Sequence, residues 1–308
     1  MINYAVVGAG WISQQAFLPG VGQSANSKVT AIVTGDSEKA ARLADFYGVD
    51  RIVGYDGYDA LLRSAEVDAV YIALPNHLHA DFAVRAARAG KHVLVEKPLA
   101  ANEQDALAMI ASAREAGVFV MTAYRLHNEP GTVAVLEHIR NNAIGRPVFF
   151  QSAFSFQAAL GNHRLKATSW GRPLQDVGVY CVNAARHIFA EEPIEAMAMV
   201  HRPSDDPRFR EVEASVAALL RSLRVVSHNS SPASEPPPST VIGLSERRAR
   251  SNLTPASGSR LQQDCACAAA ARSAKLSFRK STILARRCNI FQIASRRERR
   301  LRLMLRRG

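Results

Sequence analysis

Short apolar runs alternate with longer segments of mixed polarity through the first 123 residues. Tyr4-Ala5-Val6-Val7 is apolar without interruption, as a strand buried on both faces of a parallel sheet should be. It enters Gly8-Ala9-Gly10-Trp11-Ile12-Ser13 and then a helical stretch. Lys28 to Thr34 predicts the second strand, Ser37 to Tyr47 a helix, and Val67 to Leu74 a further buried strand. Ala80 to Ala89 is an amphipathic helix ended by Gly90, and His92 to Val95 is a central strand. Asn102 to Ala116 predicts another helix and Val118 to Thr122 the sixth strand. Strands alternating with helices in this way imply a doubly wound parallel sheet of Rossmann type, spanning residues 1–123.

From Tyr124 the pattern changes. Pro130 to Asn141 reads as a helix, and Pro147 to Phe156 as a strand with partly alternating polarity. Asp176 to Phe189 is helical; Glu195 to His201 and Glu213 to Arg221 are two more strands. Residues 124–221 therefore predict a partial second α/β domain with an open, largely antiparallel sheet that is cut short.

Charge changes the picture only when divided by position. The formal net charge of +12 suggests a nucleic-acid binder, but residues 1–220 carry 20 basic and 23 acidic side chains. Residues 221–308 carry 19 and 4, so the basic character belongs to residues 222–308 alone. That segment is rich in Ser, Arg, Pro and Ala, and all seven tyrosines and both tryptophans lie before it. It reads as an aberrant tail, out of frame or disordered. The arginines show no aromatic interleaving, so neither nucleic acid nor membrane is expected as a partner. Four cysteines in a chain of this length make no disulfide framework, and Cys265-Ala266-Cys267 has no second ligand pair, so no metal is expected. No leader and no run of about 18–20 apolar residues is visible, which makes the cytoplasm the default location.

The candidate chemistry lies at strand ends. In Gly8-Ala9-Gly10 the first glycine permits a tight turn and the second lets backbone approach a pyrophosphate, while Ser13 replaces the third glycine with a small residue. The second strand ends in Thr34-Gly35 with Lys39 beyond it, where an NAD site carries an acid; this favours NADP, with NAD through Asp36 as the other option. Leu74-Pro75-Asn76 and His79 follow the next strand, placing Asn76 to bond a ribose, while His79 reads as a packing or helix-start histidine rather than a base. Glu96-Lys97-Pro98 closes the central strand. Lys97 there is suited to exchange a proton, with the proline able to fix its backbone as a cis peptide; pairing with Glu96 at the surface is the plainer role. Asp176 and Tyr180, four apart on one helix, could form an acid–base pair or serve as a helix-start acid and a half-buried phenol.

These stretches together resemble the Gfo/Idh/MocA oxidoreductases, in particular the glucose–fructose oxidoreductase branch. The resemblance rests on Val6-Val7-Gly8-Ala9-Gly10, Val33-Thr34-Gly35 with Glu38-Lys39, Tyr71-Ile72-Ala73-Leu74-Pro75-Asn76 with Leu78-His79, Ala89-Gly90-Lys91-His92-Val93, Glu96-Lys97-Pro98, Tyr124-Arg125 with His127, Asp176 to Tyr180 and Glu191 to Glu195. It covers residues 2–221. It implies an NADP(H)- or NAD(H)-dependent oxidoreductase acting on a sugar or polyol, with Lys97 central, Asp176 orienting it and Tyr180 as acid/base. It also implies cofactor contacts at Gly8, Gly10, Trp11, Ile12, Thr34, Gly35, Lys39, Leu74, Asn76, His79, Glu96, Lys97 and Arg125. Relatives form homo-oligomers through the second sheet, which looks damaged here. A non-catalytic dinucleotide-binding regulator, or an inactive truncated product, are the alternatives. Two departures concern the loop before Asp176: Trp170-Gly171-Arg172-Pro173 replaces a glycine run, and His163-Arg164-Leu165 replaces Trp-Arg-Leu.

Overall fold

A computed structural model describes residues 1–222 and the backbone of a strand at 239–245. The chain divides between Pro130 and Gly131 into two compact units.

The first unit holds a six-stranded, all-parallel sheet. Its strands are β1 (Ile2–Val7), β2 (Ser27–Val33), β3 (Arg51–Val53), β4 (Ala69–Ile72), β5 (His92–Val95) and β6 (Val120–Thr122), in the order β3-β2-β1-β4-β5-β6. The order reverses between β1 and β4, the switch point beside which such sheets bind ligands. A π-helical turn, Ser13–Phe17, runs into α1 (Leu18–Gly22) after β1. α2 (Ser37–Tyr47), α3 (Tyr58–Leu62), α4 (His79–Arg88) and α5 (Glu103–Ala116) complete the alternation. The helices start and stop where side chains satisfy their ends: Asp36 accepts from the Lys39 N–H and Asn102 from the Asp105 N–H, both at 2.9 Å.

All four residues of β4 are buried, and one core, containing Val7, Leu61, Ile72, Val93 and Met109, fills one side of the sheet. On the other side Phe17 stacks on Tyr71 with ring centroids 3.8 Å apart and meets the edge of Tyr4 at 5.5 Å. β3 is the one of the six expected strands to which the hydrophobic pattern gave no bounds. It has three residues, none buried, and pairs with β2 alone.

The second unit contains α6 (Pro130–Arg140), β7 (Phe149–Phe154), a π-helical turn Leu174–Gly178 leading into α7 (Val179–Phe189), β8 (Pro193–His201), β9 (Ser215–Ser222) and β10 (Ser239–Ser245). Its sheet runs β7-β10-β9-β8, with antiparallel pairs except β7 with β10. β10 corrects the expectation of three strands: a strand inside the supposed tail lies between β7 and β9. The tail's other residues, with Cys265, Cys267 and Cys288, lie outside the described residues. In β7 exposed Phe149, Gln151 and Ala153 alternate with buried or half-buried Phe150, Ser152 and Phe154. β8 is different: as an edge strand it is exposed along nearly its whole length, with Met197, Met199 and Val200 at 69–75%. Among the described residues, no helix is long and apolar enough to cross a membrane.

The aromatic stack gives a stability prediction. Phe17→Ala is expected to cost about 3–5 kcal/mol, read as a lower urea midpoint at unchanged slope. A loss below about 1 kcal/mol would mean that the stack closes over the cavity without cost.

Candidate active site

In the first unit the candidate residues converge on the carboxyl ends of β1, β4 and β5. Gly8 has φ +95°, and a Cβ there would lie 2.5 Å from the Ala73 carbonyl oxygen and 3.1 Å from Leu74. The turn is closed against β4, so no other residue fits. The Ser13 hydroxyl donates back to the Gly8 carbonyl at 2.6 Å and is fully buried, which explains why a serine serves in place of the third glycine. Gly10 faces open space, with nothing within 4 Å of a Cβ position. Trp11 is exposed and Ile12 half-buried at the start of the helix, whose first N–H groups have no partner within it. This cradle fits a diphosphate.

At the end of β2, Thr34 is buried and its hydroxyl accepts from the Asp36 N–H at 3.3 Å. A Cβ on Gly35 would touch the Tyr55 ring at 3.4 Å, so that ring forms a wall beside the turn. Asp36 caps α2, and its carboxylate also meets the Lys39 ammonium at 2.7 Å. The Lys39 contacts hold the Asp36 pKa below its usual value.

Glu96 and Lys97 follow β5 directly. Glu96 is buried, not at the surface: Oε1 accepts from the Tyr71 hydroxyl at 2.7 Å and Oε2 from the Lys97 N–H at 3.3 Å. Lys97 is half-buried, and its bond to Pro98 is cis. His79 is wholly buried, with Nδ1 2.8 Å from the Pro98 oxygen and Nε2 2.9 Å from the Leu74 oxygen. It sits between the loops after β4 and β5, each ring nitrogen within hydrogen-bond distance of a carbonyl oxygen. Asn76 and Leu74 are half-buried beside it. Arg125 is half-buried in a 3-10 turn, Arg125–Asn128, beyond β6.

In the second unit Asp176 lies within the π-helical turn, and Tyr180 stands four residues on in α7. Asp176 stands in the first turn of that stretch, as a helix-start acid does. Its carboxylate accepts from the Arg164 Nε at 2.7 Å. The half-buried Tyr180 ring lies nearly parallel to Phe154, with centroids 5.8 Å apart. His163 has its pKa pushed down from the usual 6.5 by burial and by the neighbouring Arg164. Among the described residues no group of His, Cys, Asp or Glu could hold a metal ion.

Sequence reasoning placed Tyr71 in a matching stretch and Arg164 in a departing one but missed them as partners of Glu96 and Asp176. Tyr71 carried a signal, since a tyrosine within an apolar strand must find a partner for its hydroxyl.

Burial lowers the His79 pKa from its usual 6.5. The folded state keeps the ring neutral where the unfolded chain takes up a proton. Its contribution to stability is therefore complete above about 6.5 and declines as pH falls towards the folded-state pKa. His79→Gln should lower stability at pH 7 by about 1–3 kcal/mol and flatten the loss of stability between pH 7 and 5. His163 and His187, also depressed, leave some slope. Urea unfolding at three pH values checks both; an unchanged slope would overturn the assignment.

The geometry agrees with what the chain resembles. Residues 2–124 match the family model described as an oxidoreductase family with an NAD-binding Rossmann fold, and residues 132–241 match the GFO/IDH/MocA C-terminal domain. The chain is 34% identical to a dTDP-3,4-didehydro-2,6-dideoxy-alpha-D-glucose 3-reductase of Actinomadura kijaniata, over 73% of this chain and 66% of that one. It superposes on aldose-aldose oxidoreductase from Caulobacter crescentus, solved with glycerol, with a TM-score of 0.71 and 31% identity, covering 79% and 70%. A 3-ketoreductase from Actinomadura kijaniata, solved with NADP and TDP-benzene, gives 0.67 and 30%, covering 80% and 71%. The chain spans just under two thirds of the length of the curated relatives it matches, at 65% and 66%. On these grounds the chain belongs to the Gfo/Idh/MocA oxidoreductase family.

Proposed function

We propose that the chain is an NADP(H)-dependent oxidoreductase that moves a hydride between the cofactor and a carbon of a sugar or related polyol. The observation that carries this reading is Lys97, presented by a buried and braced loop at the carboxyl end of a central parallel strand. Bound NADP would supply or accept the hydride.

The chain's own groups hold the reactants and move the proton. When an alcohol carbon gives up hydride, its hydroxyl must lose a proton to a nearby base; in the reverse direction the new oxyanion must gain one. Lys97 is the central group for that exchange in the first unit; Tyr180 is the group proposed for acid/base work, and Asp176 the one proposed to bind substrate hydroxyls, in the second. Glu96, held by Tyr71, fixes the backbone from which Lys97 projects.

For the cofactor, the open face at Gly10 and the helix start at Trp11 and Ile12 suit the diphosphate. Thr34, Gly35 and Lys39 suit a 2′-phosphate; Leu74, Asn76 and Arg125 line the remaining course. His79 contributes indirectly, through the carbonyls it holds. NADP in the solved 3-ketoreductase, and in the name of a D-xylose 1-dehydrogenase (NADP(+)) of Haloferax volcanii, supports the same choice.

Lys97→Met should cut turnover on aldoses by about 10²–10⁴-fold while leaving NADPH binding, read by fluorescence, within a factor of about three. Equal rates for wild type and variant would refute the catalytic assignment. NADPH binding by the wild type without turnover on any sugar would favour the regulator. Lys39→Ala should weaken NADPH binding by on the order of tenfold and leave NADH nearly unchanged, since only the 2′-phosphate meets the ammonium. A parallel loss of both cofactors would remove Lys39 from the site.

A further inference from the structure

We infer that Arg164 is a positioning residue for Asp176, and that Gly171 is the seat that makes this possible. The inference rests on the assignment of Asp176 above.

The Arg164 Nε donates to the Asp176 Oδ2 at 2.7 Å, a charge-assisted bond between a side chain 39% exposed and one 13% exposed. An exposed arginine normally loses more in side-chain freedom than such a pair returns, and the contribution to stability is small. Here the backbone beneath the arginine is fixed from several sides. Its N–H donates to the Asn162 side chain at 3.0 Å. Next to it, Leu165 is buried among Ala158, Phe209 and Val212. One residue further, the Lys166 ammonium meets Glu211 at 2.8 Å.

The fourth constraint is Gly171. A Cβ there would lie 2.2 Å from the Arg164 Cα and 2.5 Å from its carbonyl oxygen, a distance no side chain tolerates. Trp170, immediately before it, takes a left-handed conformation with φ 55°, which is costly for a bulky residue. The loop thus accepts backbone strain and a glycine in order to press its chain against Arg164. Asp176 is held from its own side as well, its N–H donating to the Arg172 carbonyl at 2.9 Å. Both ends of the pair are anchored before any substrate arrives. That is a means of aiming the carboxylate.

A double-mutant cycle tests this on the full chain with NADPH bound. Arg164→Gln, Asp176→Asn and the double variant are compared by D-glucose affinity, read through fluorescence of the bound cofactor, and by kcat and KM where turnover occurs. The affinity readout needs no turnover. Arg164→Gln should weaken the response by about tenfold in the wild type and by less than about threefold when Asp176 is already Asn. Arg164→Lys should recover part of the loss, and NADPH affinity should not move. If Arg164→Gln fails to fold, Arg164→Lys is carried through the same cycle, with the same non-additivity expected. Equal losses on both backgrounds, or no loss at all, would overturn the inference and leave the role of Asp176 standing. An Asp176→Asn variant identical to wild type in affinity and rate would overturn that role and the inference with it.

Discussion

One buried imidazole joins the two loops on which the site in the first unit depends. His79 lies between the carbonyls of Leu74 and Pro98, which follow β4 and β5 respectively. A neutral ring carries a single N–H, so it can donate to only one of the two oxygens. Protonation would satisfy both, and burial opposes it. The ring is therefore caught between hydrogen bonding, which favours charge, and desolvation, which does not. Either tautomer keeps the two loops within reach of one rigid plane. The turn at Gly8 is closed against Ala73 in the same region. The parallel sheet thus ends in a surface whose loops are fixed to each other, with Lys97 projecting from one of them.

The first sheet was legible because its strands are apolar throughout and its turns carry glycine, proline and capping residues at positions with few alternatives. β1, β4 and β5 are buried on both faces, so their hydrophobic runs have no other explanation. β3 was not legible, because three half-exposed residues produce no period. β10 was hidden for another reason: the Ser- and Arg-rich composition around it outweighed the short apolar stretch at its centre. For the site, Glu96, Lys97 and Asp176 could be found from their places at strand and helix ends. The partners of Glu96 and Asp176 could not. Tyr71 reaches Glu96 across 25 positions and Arg164 reaches Asp176 across 12, and both contacts exist only once the chain has folded.

The two sheets also differ in how well they are covered. β4 exposes almost nothing, whereas β8 has Val200 exposed on one face and Met197 and Met199 on the other. β8 is an edge strand paired only with β9. Free backbone groups beside exposed apolar side chains form a surface prone to associate. The family's C-terminal domain model reaches residue 241, within β10. The sheet is therefore related to its family through its fourth strand, and β8 is the part whose chemistry calls for cover.

Cofactor choice turns on the state of Asp36. An aspartate at the end of the second strand can bind ribose hydroxyls only if its oxygens face outward. Here Oδ1 accepts the Lys39 N–H as the cap of α2, and Oδ2 meets the Lys39 ammonium. Turning the carboxylate towards a ribose would give up the cap, at a cost of about 1 kcal/mol, and would also release the ion pair. A 2′-phosphate leaves the cap in place: it can share the Lys39 ammonium with Asp36 Oδ2, and its charge lies close to the N-terminus of α2, where negative charge is favoured. The helix cap itself thus tilts the site towards the phosphorylated cofactor: the acid that would recognise NAD is already in use.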